Sequence, residues 1–186
     1  MKLLQVLSRM ILRLFGWTLL DVAQRPAKSV VIAYPHTSNW DFPLMLLAVA
    51  GLPFQAQWVA KDTMFRWPFA GFLRLLGGVA VNRRERTGFV DLIVREFDAR
   101  NEFHLMIATE GTRSRQEGWK SGFYRMAAAA NVPLLLSVVD YSRRELGLLA
   151  IIHLSGDETA DMARIAEVYA GRKGHHHENA SPIRLI

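Results

Sequence analysis

The sequence predicts a single α/β domain: a largely parallel central sheet flanked by helices, with an N-terminal amphipathic helix suited to a membrane surface. Three observations carry this. Short β-rich runs alternate with segments of helical period, as in sheets whose parallel strands are joined through helices. The 186 residues suit one domain, and at 51% apolar they can fill a sizeable core. The first 20 residues combine a wide apolar surface with a narrow basic stripe.

At roughly 100° per residue, Lys2, Arg9 and Arg13 fall within a ~40° sector, with Gln5 beside it. Leu3, Leu7, Met10, Ile11, Leu14 and Trp17 cover the other side. The cations interrupt the apolar run, no small-residue cleavage site follows, and no stretch reaches ~18 uninterrupted apolar residues. Neither a signal peptide nor a transmembrane helix is therefore expected. The helix is expected to lie in the headgroup plane with its cations on anionic lipid. The plainer alternative is a core-packing helix with three solvated charges.

Gly16 and residues 21–28 end this helix. Residues 29–34 form a buried strand, stopped by Pro35, with His36 just past its end. Ser38 or Asn39 is placed to cap the next helix, which holds Asp41 in its first turn and runs to Leu47. A strand over 55–60 leads into Lys61, and a short helix follows over 67–76. Gly77 and Gly78 break it before a strand over 79–82 that ends at Arg83. Residues 87–100 are an amphipathic helix through Phe89, Leu92, Ile93 and Phe97. A strand over 103–108 brings Glu110 and Gly111 to its end. A helix over 122–130, strands over 132–139 and 146–154, and a helix over 159–170 complete the domain. The expected organisation is thus a membrane-associating helix over 1–20, a domain over 21–170, and a loose polar tail over 171–186.

In such sheets, chemistry collects at the carboxyl ends of strands. His36, Lys61, Arg83 and Glu110 all fall at or just past expected strand ends. A neutral imidazole accepts a proton near neutrality, best when a carboxylate fixes its tautomer. Asp41 can be that carboxylate. Five residues apart on one continuous helix the two side chains would diverge by roughly 140°, so His36 must lie in the turn before the helix. Otherwise they are a loop histidine and an aspartate stabilised by the helix dipole. In Glu110-Gly111-Thr112-Arg113 the glycine permits close backbone approach to an anion, and the arginine offers a planar fork. A charged turn is the plainer alternative. Arg83, beside Arg84 and Arg86, is a candidate phosphate clamp or a solvated basic loop. Lys61 can stabilise a developing oxyanion or be a surface lysine.

There is no cysteine, which excludes disulfides, thiolate catalysis and cysteine-ligated metals. Three adjacent imidazoles, His175 to His177, do not easily share one ion, so no metal site is expected there. The net charge of +6 favours acidic partners. Its interleaving with Leu, Phe and Trp favours anionic lipid over nucleic acid.

Residues 34–41 resemble the first motif, H-x4-D, of the glycerophospholipid acyltransferase family, whose bacterial 1-acyl-glycerol-3-phosphate acyltransferases the chain most resembles. Residues 61–83 are similar to the second motif, 110–114 to the third, and Val132-Pro133-Leu134-Leu135 to the fourth. Pro35, Thr109 and Leu136 depart from the residues common at those places. The resemblance implies transfer of a fatty acyl group from acyl-CoA or acyl carrier protein to a hydroxyl of a lysophospholipid, most simply a lysophosphatidate-like one. His36 would take the hydroxyl proton, Asp41 would support it, and no acyl-enzyme would form. Arg83 would bind the acceptor phosphate, within a pocket organised by Glu110, Gly111, Thr112 and Arg113, with Lys61 nearby. No cofactor or metal is implied. The setting would be peripheral, on the cytoplasmic face of the cell membrane. Phe65, Trp67, Phe69, Phe72, Leu73, Leu75 and Leu76, with Arg66 and Arg74, would be core packing, an acyl-chain channel or a second membrane contact. The competing readings are a thioesterase or lipid hydrolase using the same His/Asp pair, and a non-catalytic protein that binds anionic lipid.

Overall fold

The computed structural model describes residues 2–81 and 88–186. In chain order its elements are α1 (Lys2–Leu14), β1 (Thr18–Leu20), β2 (Lys28–Ala33), α2 (Asp41–Gly51), β3 (Gln57–Lys61), α3 (Ala70–Leu75), β4 (Gly78–Val81), α4 (Phe89–Ala99), β5 (Phe103–Ala108), α5 (Gly122–Ala129), β6 (Leu134–Asp140), β7 (Glu145–Ile152) and α6 (Glu158–Val168). Single 3-10 turns occupy Asp62–Met64 and His177–Asn179.

Among the described residues the strands form one sheet in the order β1-β7-β6-β2-β5-β3-β4. Every neighbouring pair is parallel except β6 and β7. Only residues 141–144 join those two strands, too few for a crossover, so the chain must reverse direction. β1 was not expected from the sequence, where it falls inside the segment read as helix. Its three residues become a strand by pairing with β7, 127 residues away at Thr18 and Glu145.

The pleat divides the core between two faces. Val30, Ile32, Leu105, Leu134 and Leu136 point to one side, where Phe97 of α4, Phe123 of α5 and Ile165 of α6 cover them. Val31, Met106 and Leu135 point to the other, against Phe42, Met45 and Val49 of α2 and Leu73 of α3. Successive side chains on a strand face opposite ways, so near-continuous apolar strands are what a sheet covered on both faces requires.

α1 packs outside α2 on this second side, through Leu12 against Ala48 and Leu146. Its polar face is not where the sequence put it. The Gln5 amide, the Ser8 hydroxyl and Arg9 Nε donate to the carbonyls of Leu52, Leu47 and Gly51. Gly51 and Leu52 stand at the C-terminal end of α2, where the helix supplies no further donor, whereas the Ser8 hydroxyl adds a bond to the Leu47 carbonyl one turn earlier. Arg9 is therefore held by its Nε at the end of α2 while the residue stays exposed, and a cation at a helix C-terminus also suits its dipole. Ile11 and Trp17 are half-buried, whereas Leu3, Leu4, Val6, Leu7, Met10, Leu14 and Phe15 are 51–83% exposed.

The segment 171–186, expected to be loose, is packed down. Ser181 is buried, Trp119 N–H donates to the Arg184 carbonyl, and Ile186 N–H donates to the Trp119 carbonyl. These main-chain bonds are indifferent to the polar side chains that suggest a tail, and Ala180, Ile183 and Leu185 pack against the core beside them.

Candidate active site

β2 and β5 are neighbours whose last residues, Ala33 and Ala108, stand in register. Beyond them the chain diverges: α2 crosses one face of the sheet and α5 the other. A crevice opens at such a switch point. The His36 loop and Glu110 meet in it.

Asp41 is the first residue of α2, and its carboxylate turns back over the loop that precedes it. Oδ2 accepts from the N–H groups of Thr37 and Ser38, both at 2.9 Å, and lies 3.1 Å from His36 Nδ1. Oδ1 accepts from the Tyr141 hydroxyl at 2.8 Å. His36 therefore stands in the turn and Asp41 at the helix start, as their meeting requires. Trp40 occupies the cap position without a side-chain bond of its own, and the expected contribution of Ser38 comes one turn earlier, where its Oγ accepts from Trp40 N–H at 3.2 Å. The Asp41 carboxylate, a stronger acceptor than a hydroxyl or amide, takes the N–H groups of Thr37 and Ser38.

A carboxylate only accepts, so Nδ1 of His36 carries the hydrogen between the two, and Nε2 of the neutral ring is left as the acceptor. Burial alone would raise the Asp41 carboxyl. Hydrogen bonds from His36, the Ser38 N–H and Tyr141 outweigh it and hold the group below its ordinary value. Burial, then the Asp41 carboxylate, push the Tyr141 hydroxyl well above its ordinary value, which keeps it a donor.

Glu110 is 1% exposed. Its Oε2 accepts from His36 N–H at 2.9 Å and its Oε1 from Ser181 N–H at 2.7 Å. It clamps the main chain of the histidine loop to the C-terminal segment. Burial raises its carboxyl above the ordinary value, against the lowering effect of the two N–H donors and of the Ser181 side chain. Thr37 Oγ1 adds a second tie by accepting from His176 N–H at 3.2 Å.

Gly111 adopts φ +66°, a conformation that disfavours a side chain, and a Cβ there would stand 3.3 Å from Lys120 Nζ. Thr112 and the exposed Arg113 follow it at the crevice. Lys61 closes β3. Arg83 lies outside the described residues. Of the sequence-derived candidates, His36, Asp41, Glu110, Gly111, Thr112 and Arg113 are brought together.

From this crevice a cavity of about 520 Å³ runs beneath α2. Its mouth holds His36, Asn39, Asp41 and Arg113, and its walls are Phe42, Met45, Val49, Leu52, Phe54 and Trp58 with Met106 and Leu148 of the sheet. An apolar chamber with a few polar groups at one end is the usual form of a small-molecule site. Tyr141 and Ser181 were not singled out in the sequence. Tyr141 does follow a strand end, which is a usable signal; Ser181 lies in a polar segment far from any strand end and carries none.

Residues 20–139 match the family model described as Acyltransferase. The crystal structure of the 1-acyl-sn-glycerophosphate (LPA) acyltransferase PlsC from Thermotoga maritima shares the fold, with a TM-score of 0.61 at 19% identity. The alignment covers 91% of this chain and 77% of that one. No curated protein matches.

Proposed function

The chain belongs to the acyltransferase family, and from that premise we propose that it moves a fatty acyl group from a thioester donor to a lysophospholipid hydroxyl. The donor is acyl-CoA or acyl carrier protein, and the acceptor is most simply lysophosphatidate-like. One observation carries this reading: the hydrogen-bonded His36–Asp41 pair stands at the mouth of an apolar cavity. A base at the polar end of a greasy chamber suits a substrate with a long chain and a reacting head.

In this account Nε2 of His36 takes the proton of the acceptor hydroxyl as its oxygen attacks the thioester carbonyl carbon. The tetrahedral intermediate collapses, the C–S bond breaks, and the leaving sulfur receives the proton from the imidazolium. Asp41 holds the ring and faces its positive charge while it lasts. No acyl-enzyme forms, and no cofactor or metal takes part. Arg113, Arg83 and Lys61 supply positive charge for the acceptor phosphate and the developing oxyanion. Glu110, with Gly111 and Thr112, fixes the loop geometry through the main chain.

The exposed apolar face of α1 serves as the bilayer contact, peripheral to the cytoplasmic face of the cell membrane. No helix among the described residues is long and apolar enough to cross a membrane.

The test is thioester consumption with and without lysophosphatidate, followed through free thiol. Release that depends on the acceptor supports transfer. Equal release without it, yielding free fatty acid, would identify a hydrolase.

A further inference from the structure

We propose that residues 64–75 form a second contact with an anionic bilayer, facing it together with α1. The proposal rests on the reading of α1 as a membrane-surface helix and extends it to a separate part of the chain. Trp67 is 92% exposed, Leu75 84%, Phe69 63%, Phe72 59% and Met64 43%. Isolated exposed apolar residues are common, but this many within one short segment mark an interaction surface.

The segment is anchored, not frayed. Phe65 and Leu73 are buried in the core on the α2 side, Phe65 stacks on Trp58, and Trp58 Nε1 donates to the Leu76 carbonyl at 2.8 Å. With these anchors holding the inner face, the remaining apolar side chains stand outward at no further ordering cost. The anchors also place the segment on the same side of the sheet as α2, and α1 packs on that side as well.

A bilayer fits this surface better than a protein groove for two reasons. Between residues 63 and 81 the only charged residues are Arg66 and Arg74, and both are exposed. Cations flanking an aromatic and aliphatic patch match anionic headgroups above acyl chains. The second unpartnered apolar surface on this side, that of α1, lies with it on one face of the sheet, as docking on a membrane demands. Met64 also lines the cavity beneath α2, so this contact brings one cavity wall to the lipid.

The chain has no cysteine, which allows single labelling sites without background. Leu75→Cys, Leu14→Cys and, on the opposite face, Glu167→Cys would each carry a polarity-sensitive fluorophore. Each labelled protein is mixed with vesicles of phosphatidylcholine containing phosphatidylglycerol. The expected result is a blue shift at positions 75 and 14 and none at 167. Phe72→Glu combined with Leu75→Glu should weaken vesicle partitioning about tenfold or more. That double variant should still turn over a water-soluble short-chain thioester at the wild-type rate. A shift at 14 without one at 75 would overturn the second contact and leave the α1 reading intact. No shift at either would overturn both. A shift at 75 that grows with protein concentration without vesicles would instead assign the surface to a second copy. A shift with acyl carrier protein but not with vesicles would assign it to an acidic protein, and either result refutes the proposal.

Discussion

Replacing Asp41 by asparagine isolates its charge from its geometry. With the amide oxygen at the Oδ2 position, the variant still accepts from Thr37 N–H, Ser38 N–H and His36 Nδ1–H. The amide nitrogen then faces the Tyr141 oxygen, which can accept. The loop and the tautomer should survive, and only the negative charge disappears. At the 3.1 Å separation, a full imidazolium facing that charge gains about 5 kcal/mol at an effective dielectric constant of ~20. If about half the positive charge has developed in the transition state, the loss is about 2–3 kcal/mol, or ~100-fold in kcat. KM for the acceptor should hardly move, because both oxygens are already engaged by protein donors. The same variant has a second signature. The folded Asp41 carboxyl lies below its ordinary value of 3.8, so its contribution is full above that pH and is lost as pH falls through the folded value. The wild type should therefore be the more stable protein at neutral pH, and the gap should close in acid. Initial rates with a thiol-reactive chromophore, and urea unfolding across pH, read both effects. A kcat within about threefold of wild type, in a folded variant, would refute Asp41 as the electrostatic partner of His36.

Other consequences are smaller. Tyr141→Phe removes the donor to Asp41 Oδ1 and should lower kcat about three- to tenfold with unchanged KM in the same rate assay. Ser181→Pro removes the N–H that Glu110 Oε1 accepts, and should cost about 2–3 kcal/mol, seen as a fall in Tm of about 5–10 °C by calorimetry. Val49→Phe intrudes on the cavity wall and should shift donor preference toward shorter acyl chains in a competition among thioesters of graded length.

Local patterns in the sequence were enough to find most elements. The strand over 103–108 has the bounds its sequence predicts, because a continuous apolar run between turns needs no distant information. β1 escaped, since Thr18 to Leu20 are a strand only by virtue of β7 beside them. The polar face of α1 is legible as a stripe, but its destination is not: Gln5, Ser8 and Arg9 bind carbonyls in the last turns of α2, whose place beside α1 only the fold sets. The same divide runs through the site. His36 and Asp41 are near neighbours in sequence, so helix geometry states the condition for their pairing, a histidine in the turn before the helix, while leaving open whether they pair. Glu110 was visible as a strand-end carboxylate, yet its partners are main-chain N–H groups, 74 positions before it in the case of His36 and 71 after it in the case of Ser181. Tyr141 reaches Asp41 across 100 positions. Polar composition suggests looseness for residues 171–186, but they are held by main-chain bonds to Trp119, by the Glu110 carboxylate, and by Ala180, Ile183 and Leu185 against the core.

The central claim is that His36 drives acyl transfer to a lysophospholipid hydroxyl. The most direct measurement is mass spectrometry of lipids formed from acyl-CoA, or acyl carrier protein loaded with the acyl group, and a panel of lysophospholipids in anionic vesicles. Wild type and His36→Ala would be run side by side. The account predicts a diacyl product with the wild type, and a fall of about 10²–10⁴-fold with the variant, as loss of a general base requires. A diacyl product formed equally well by folded His36→Ala, or none formed by the wild type from any donor and acceptor, would contradict it.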